Sequence, residues 1–287
     1  MEKGHIVQLF FNRTAGSHCE KRLADLASGF EAGGARVILT ECGPGNPVAI
    51  AAEASHVCAL GGDGTVRHVA HAVARCGRPL PLGVYPAGTV NLLHREIGSP
   101  LDPALYVARA LGTDGAALHY PVELNDTIFL ACASVGPDSR AVAGVSARLK
   151  RRIGKLAYVV ALLKLLVGWR RDRIIVECDG RALACEAFYV AKGRFFAGPW
   201  SFAPNARLAS PRLHLVALER ARRRDYARFL WALWRGRRID ALPGVTALDC
   251  TSFAARSDAL LPVQADGDIV AALPIEVRLR DEPMAFC

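Results

Sequence analysis

The sequence lacks the marks of several functional classes. It has no Cys-x-x-Cys pair, although nine cysteines are scattered from Cys19 to Cys287. An odd number of unclustered thiols, several inside apolar runs, excludes a disulfide framework or a zinc ribbon and fits a reducing compartment. Long apolar runs are also missing. The middle of the stretch Leu149 to Arg173, Leu156 to Val167, spans about 12 residues and contains Lys164, whereas a bilayer-crossing helix needs ~20. Met1 to His5 is polar, and the run Ile6 to Phe11 is too short for the apolar part of a signal peptide, so a cytoplasmic protein is expected. Acidic residues are outnumbered, 27 against 36 Lys and Arg, for a net charge of +9. Such an excess favours polyanions: nucleic acid, an anionic lipid surface or phosphorylated substrates. No aromatic-basic RNA-reading motif is present, so nucleic acid is not an expected partner. Oligomeric state is not readable from the sequence.

What is present is enough apolar material for two cores. The 287 residues are 52% hydrophobic, and a chain of this length is expected to divide into two domains. Up to about residue 118, strand-like runs alternate with helical spacing. The strands are Ile6 to Phe11, Ala35 to Thr40, His56 to Leu60 and Pro81 to Tyr85. The helices are Cys19 to Glu31, Pro47 to Ala54, Val66 to Cys76, Asn91 to Ile97 and Asp102 to Leu111. That alternation predicts a three-layer α/β domain over 1–118, with a parallel sheet and ligands at the carboxyl ends of its strands.

From 119 to 287 short strand-like runs dominate: Ala117 to Leu124, Thr127 to Ser134, Ile174 to Cys178, Glu186 to Lys192, His214 to Leu218, Val245 to Ser252, Val263 to Ala265 and Ile275 to Leu279. They predict a C-terminal β-sandwich. Two helical segments interrupt it, Leu149 to Arg173 and Arg220 to Arg238. In both, arginines flank an apolar centre. That suits a helix lying in a lipid interface, and equally a helix packed on the sandwich with its arginines in water.

The chain is organised around Leu60-Gly61-Gly62-Asp63-Gly64-Thr65-Val66, a glycine turn between strand and helix. Glycines let a ligand approach the backbone, and the helix N-terminus supplies N–H groups for phosphate. Asp63 would repel a bare phosphate, and makes sense beside a metal-bound phosphate or as a proton acceptor. The plain alternative is a strand-to-helix turn capped by Thr65.

Gly61 to Thr65 resembles the nucleotide loop of diacylglycerol, sphingosine, ceramide and NAD kinases and, more loosely, phosphofructokinases. Pro86-Ala87-Gly88-Thr89-Val90-Asn91 resembles the second signature of the diacylglycerol kinase catalytic domain, Pro-x-Gly-Thr-x-Asn. Phe11-Asn12-Arg13-Thr14-Ala15-Gly16-Ser17 resembles its Asn-Pro-x-Ser-Gly segment, and Ala265-Asp266-Gly267-Asp268 its Asp-Gly-Glu. Gly136-Pro137-Asp138-Ser139 resembles a Gly-x-Asp-Ala segment on the acceptor side.

The resemblance implies an ATP-dependent lipid kinase of the bacterial soluble type. It would use Mg²⁺ and pass the γ-phosphate to a diacylglycerol-like or sphingoid hydroxyl, peripherally bound to an anionic membrane surface. It implies Asn12, Thr40, Gly61, Gly62, Asp63, Gly64, Thr65, Gly88, Thr89 and Asn91 around the nucleotide, Asp63 and Asp268 in catalysis, and Asp138 at the substrate. Asp266 is placed to share the role of Asp268, and a hairpin turn is the plain reading of that Asp-Gly pair. For Asn91 the plain reading is a helix N-cap.

The chain departs from the pattern at a structural metal loop, Leu-x-x-Asp-x-Leu. Here Leu208, Pro211 and Leu213 stand, so only backbone carbonyls and Ser210 remain for a cation that prefers anionic oxygen. Asp268 replaces the family's glutamate, and Leu92 an acid that many bacterial members carry. The alternatives are an NAD kinase-like enzyme, or a nucleotide- or lipid-binding protein with little catalysis.

Overall fold

A computed structural model describes residues 4–16, 19–43, 46–112, 116–144 and 169–287. The chain divides into two units, Met1–His119 with Glu282–Cys287, and Tyr120–Asp281.

The first unit is built on a six-stranded sheet. β1 (Ile6–Phe11), β2 (Arg36–Glu41), β3 (His56–Gly61) and β4 (Leu82–Pro86) run parallel in the order β2-β1-β3-β4. Nearly every residue of β1, β3 and β4 is buried, as central strands covered on both faces require. The helices are α1 (Glu20–Ala32), α2 (Asp63–Arg75), α3 (Leu92–Ile97) and α4 (Pro103–Leu111). α1 turns Leu23, Leu26 and Phe30 inward, at helical spacing. α4 opens with Asp102, whose carboxylate accepts from Leu105 N–H, and it buries Tyr106 against Phe30 and Tyr85. The sheet is completed by β5 (Ala117–His119) and by β18 (Met284–Phe286), which returns from the far end of the chain. β18 lies between β4, to which it is parallel, and β5, to which it is antiparallel.

The helix expected over 47–54 does not form. Its backbone groups have other partners: Gln8 holds Ala49 O and Ala51 N, and Arg78 donates to the carbonyls of Ala51, Ala52 and Ala54. An irregular segment satisfied by two side chains replaces a helical turn.

The second unit is a sandwich of two six-stranded sheets. One has the order β10-β9-β14-β17-β6-β7, from β6 (Val122–Leu124), β7 (Thr127–Phe129), β9 (Ile174–Cys178), β10 (Arg181–Cys185), β14 (Ser252–Arg256) and β17 (Ile275–Leu279). The other has the order β13-β12-β11-β8-β15-β16, from β8 (Cys132–Val135), β11 (Ala187–Ala191), β12 (Leu213–Leu218), β13 (Val245–Cys250), β15 (Pro262–Ala265) and β16 (Asp268–Ala272). Their inner faces share a core that includes Val122, Phe129, Val135, Ile174, Phe188, Val190, Leu215, Phe253 and Ile275. Two helices accompany the described strands, α5 (Pro137–Ala143) and α6 (Arg223–Trp234).

Three expected strands are broken. The run 117–124 splits at Tyr120-Pro121, with β5 in the first unit's sheet and β6 in the sandwich. The run 127–134 is interrupted where the N–H groups of Leu130, Ala131 and Cys132 turn to the carboxylate of Asp266. The run 245–252 ends at Cys250, and the chain crosses to the opposite sheet as β14. Residues 149–168 of the first helical interruption, and Ser17 of the first loop, lie outside the described residues.

Candidate active site

In the first unit the glycine loop and the second signature lie side by side at the carboxyl ends of β3 and β4. Gly61 pairs with Pro86 in the sheet, and Ala87 N–H donates to Gly61 O at 2.8 Å. A Cβ on Gly88 would lie 2.4 Å from Gly62 Cα, and one on Gly61 would lie 2.5 Å from the Thr65 side chain. No side chain larger than hydrogen fits at this seam.

α2 begins two residues after Gly61. Gly62 is its N-cap and Asp63 its first residue. Thr65 is therefore not the cap. It is buried inside the first turn, and its Oγ1 accepts from Asn12 Nδ2 at 3.1 Å. Asn12 Oδ1 in turn accepts from Thr14 N–H and Oγ1–H. A Cβ on Gly16 would meet Thr89 Oγ1 at 3.2 Å, which brings the turn after β1 against the second signature. Thr40, near the end of edge strand β2, accepts from Gln8 Nε2. The ten residues expected around the nucleotide thus lie at the carboxyl ends of four neighbouring strands.

Two side chains set this rim. Asp63 Oδ1 accepts from Leu93 N–H at 3.3 Å, which ties the head of α2 to the start of α3. Asn91 has a left-handed backbone (φ 54°), and its side chain does not cap α3. It closes a ring on Gly88: Oδ1 accepts from Gly88 N–H and Nδ2 donates to Gly88 O, each at 2.9 Å. Asn91 shapes the second glycine turn from inside.

In the second unit, Asp266 and Gly267 form a two-residue hairpin turn between β15 and β16, with φ of 48° and 87°. This is the conformation that an Asp-Gly pair favours. Asp266 is buried, and its carboxylate accepts from the N–H groups of Leu130 (2.8 Å), Ala131 (2.8 Å) and Cys132 (3.1 Å). With both oxygens engaged, Asp266 anchors the hairpin and is not placed to share the role of Asp268. Asp268 is the first residue of β16 and half-buried.

A chain of hydrogen bonds leads from the same turn to Asp138. Gly267 N–H donates to Gln264 Oε1, Gln264 Nε2 to Ser134 Oγ, and Ser134 Oγ–H to Asp138 Oδ2. Burial pushes the Asp138 carboxyl above the usual carboxylate range, and the Ser134 hydrogen bond pulls it partly back. Asp138 sits at the head of α5, after Gly136, whose positive φ and 2.7 Å approach to Ala187 Cβ exclude a larger residue.

α6 has two faces. Tyr226, Phe229, Ala232 and Leu233 are buried, and the Phe229 ring stacks on Tyr189 at 4.8 Å. Trp231 and Trp234 point outward, 45% and 63% exposed, with Arg235 and Arg237 over their rings. The helix packs on the sandwich with one face and presents an aromatic-arginine face to solvent with the other. Among the described residues no helix is long and apolar enough to cross a membrane.

Gln264, Ser134 and Lys192 escape the sequence reading. Gln264 and Ser134 carry no motif. Lys192 gives one signal, a lysine closing the apolar run Ala187 to Ala191. It is fully buried, and its ammonium meets the carbonyl of Leu208, one of the two carbonyls left for a metal. The loop 207–213, already without an acid at Pro211, therefore does not fit a structural metal.

Comparison with known proteins covers both units. Residues 7–117 match the diacylglycerol kinase catalytic domain, and residues 131–286 match the YegS C-terminal NAD kinase beta sandwich-like domain. A protein named diacylglycerol kinase from Bacillus subtilis is 28% identical over 244 residues, 81% of this chain and 80% of that one. A Pseudomonas aeruginosa protein named "Probable lipid kinase YegS-like" is 34% identical over 187 residues, 62% of this chain and 57% of its own length. In fold, the chain is similar to a diacylglycerol kinase from Bacillus anthracis (TM-score 0.76, 18% identity, 97% of this chain and 95% of that one). It is similar more distantly to an NAD kinase from Archaeoglobus fulgidus in complex with ATP (TM-score 0.57, 14% identity, 98% and 92%).

Proposed function

Because the chain belongs to the lipid kinase family that joins a diacylglycerol kinase catalytic domain to a YegS-type C-terminal sandwich, we propose that it is an ATP-dependent lipid kinase. It transfers the γ-phosphate to the hydroxyl of a diacylglycerol-like or sphingoid lipid at an anionic membrane surface. The observation that carries this reading is the seam between Gly62 and Gly88, where two glycine turns pack backbone to backbone at the head of α2, whose unpaired first-turn N–H groups suit phosphate.

Phosphoryl transfer is chiefly positioning and charge stabilisation. The turns at 61–65 and 88–91 cradle the phosphates, with Asn12 and Thr40 on the nucleotide side. A carboxylate is the hard donor that a magnesium ion takes, and Asp63 is the residue that would hold it, its orientation fixed by Leu93 N–H. When bound with the nucleotide, Mg²⁺ neutralises phosphate charge. In the reaction the lipid oxygen bonds to the γ-phosphorus, the bond to the β–γ bridging oxygen breaks, and ADP leaves. Asp268 takes the hydroxyl proton. Asp is one methylene shorter than Glu, so the hydroxyl must come closer by roughly 1.5 Å. Asp138 sits on the acceptor side. The outward face of α6, two tryptophans framed by arginines, suits the headgroup region of a membrane.

The test is incubation with radiolabelled ATP, Mg²⁺ and mixed-lipid vesicles, followed by separation of the lipids. A labelled lipid supports the reading and identifies the acceptor class. No labelled lipid, with ATP binding demonstrated in the same preparation, overturns it, and NAD is then the acceptor to try.

A further inference from the structure

Lys192 is fully buried at the end of β11. A buried ammonium is tolerated only where its hydrogen bonds and charge are met. Here Nζ donates to the carbonyl oxygens of Arg207 (2.9 Å), Leu208 (2.6 Å) and Ser210 (2.7 Å). Three acceptors require three N–H bonds, which only the charged form of the side chain has. The ring of Tyr120 lies 5.9 Å away on a further side, and Tyr120 N–H donates to the same Leu208 carbonyl. Lys192 itself is held from behind: its N–H and that of Gly193 both donate to Ala131 O, beside the segment that Asp266 anchors.

Three carbonyls from one loop converging on one cation is the ligand geometry of a small-ion site. The loop that supplies them, Arg207-Leu208-Ala209-Ser210-Pro211-Arg212-Leu213, contains no carboxylate and carries two arginines. A divalent ion added there would meet carbonyls already engaged by an ammonium, and no anionic oxygen from the loop itself. No group of three or more His, Cys, Asp or Glu that could hold a metal occurs elsewhere among the described residues.

We infer that Lys192 is a covalently attached replacement for a structural metal ion: its ammonium organises the 207–213 loop, and the fold of the second unit needs no divalent cation. The same substitution accounts for Pro211. With the cation supplied by β11, an acid at 211 has no ion to bind, and proline stiffens the turn before β12. The inference concerns stability, and stands or falls independently of which lipid is phosphorylated.

The experiment is thermal unfolding of the nucleotide-free full chain before and after dialysis against EDTA, with metal content measured on the same samples. The expected result is an unchanged midpoint and no stoichiometric divalent ion. A divalent ion retained by both the wild-type chain and Asp63→Asn, whose removal lowers the midpoint and whose return restores it, would overturn the inference. Lys192→Met keeps the length of the stem and removes the charge. Its midpoint should fall by about 5 °C or more, with no recovery in millimolar Ca²⁺ or Mg²⁺. An unchanged midpoint would equally overturn the inference. If Lys192→Met does not fold, the wild-type chelation arm decides.

Discussion

Gly62 and Gly88, from two separate glycine turns, approach so closely that a methyl on Gly88 would lie 2.4 Å from Gly62 Cα and 2.6 Å from Asn91 Oδ1. Gly88→Ala must therefore push the turns apart. Overpacking of this kind costs about 1–3 kcal/mol. A shift near 1 Å in positioning groups is worth on the order of 10²-fold in rate. ATP-dependent lipid phosphorylation should fall by that order while the melting midpoint moves by only a few degrees. Kinetics and a melt on one preparation check both.

The two acids of the hairpin should separate cleanly. Asp268→Asn should lower turnover by on the order of 10²-fold or more with little change in stability, since the residue is half-buried at a strand end. Asp266→Asn should do the reverse. It takes charge from three backbone hydrogen bonds, a loss of about 3 kcal/mol visible in denaturant unfolding. Loss of activity in Asp266→Asn without loss of stability would contradict the anchoring role.

Asp63→Asn should abolish turnover, a fall on the order of 10²–10³-fold, with secondary structure retained by circular dichroism. Full activity in that variant would remove Asp63 from the site.

Asp138 has a pH signature. Its carboxyl is raised in the folded chain by burial, so between its unfolded and folded values the native state binds the extra proton. Stability from this group is present below the ordinary carboxyl range and is lost as pH rises through the folded value. Asp138→Asn has no such loss. Its stability relative to wild type should rise from about pH 4 upward and then level off. Melts of both proteins across that range show the sign.

Replacing Trp231 and Trp234 together by Ala should leave the fold intact, because both are outward-facing on α6. It should weaken cosedimentation with anionic vesicles. Binding of the parent protein should itself fall with added salt, since screening at physiological ionic strength acts over ~8 Å. Indifference of the parent to anionic lipid would remove the surface reading.

The first unit was the more legible half because its cues are local. Apolar runs such as Val7 to Phe11 announce buried strands, and Gly61 to Thr65 announces the turn after one. Failures came where distant side chains decided the backbone. Nothing within residues 47–54 says that Gln8 and Arg78 will take their carbonyls. Nothing within 127–134 says that Asp266, more than a hundred residues on, will draw its N–H groups out of the strand. The site divides in the same way. Glycine spacing and Asp63 were readable from the segment itself. The ring between Asn91 and Gly88, the Gln264–Ser134–Asp138 chain and the lysine inside the 207–213 loop depend on side-chain direction, which spacing does not carry.

The return of Met284–Phe286 to the first sheet has a consequence for synthesis. β5 pairs with β18, and β18 is what stands between it and β4. A nascent chain that has made residues 6–119 holds four parallel strands in contact and a fifth, β5, with no neighbour. Between β4 and β5 a slot stays open while the whole sandwich is translated. The first unit closes its sheet only after the sandwich sequence has left the ribosome, so a chain interrupted at any point in the second unit ends with the first unit unsealed as well.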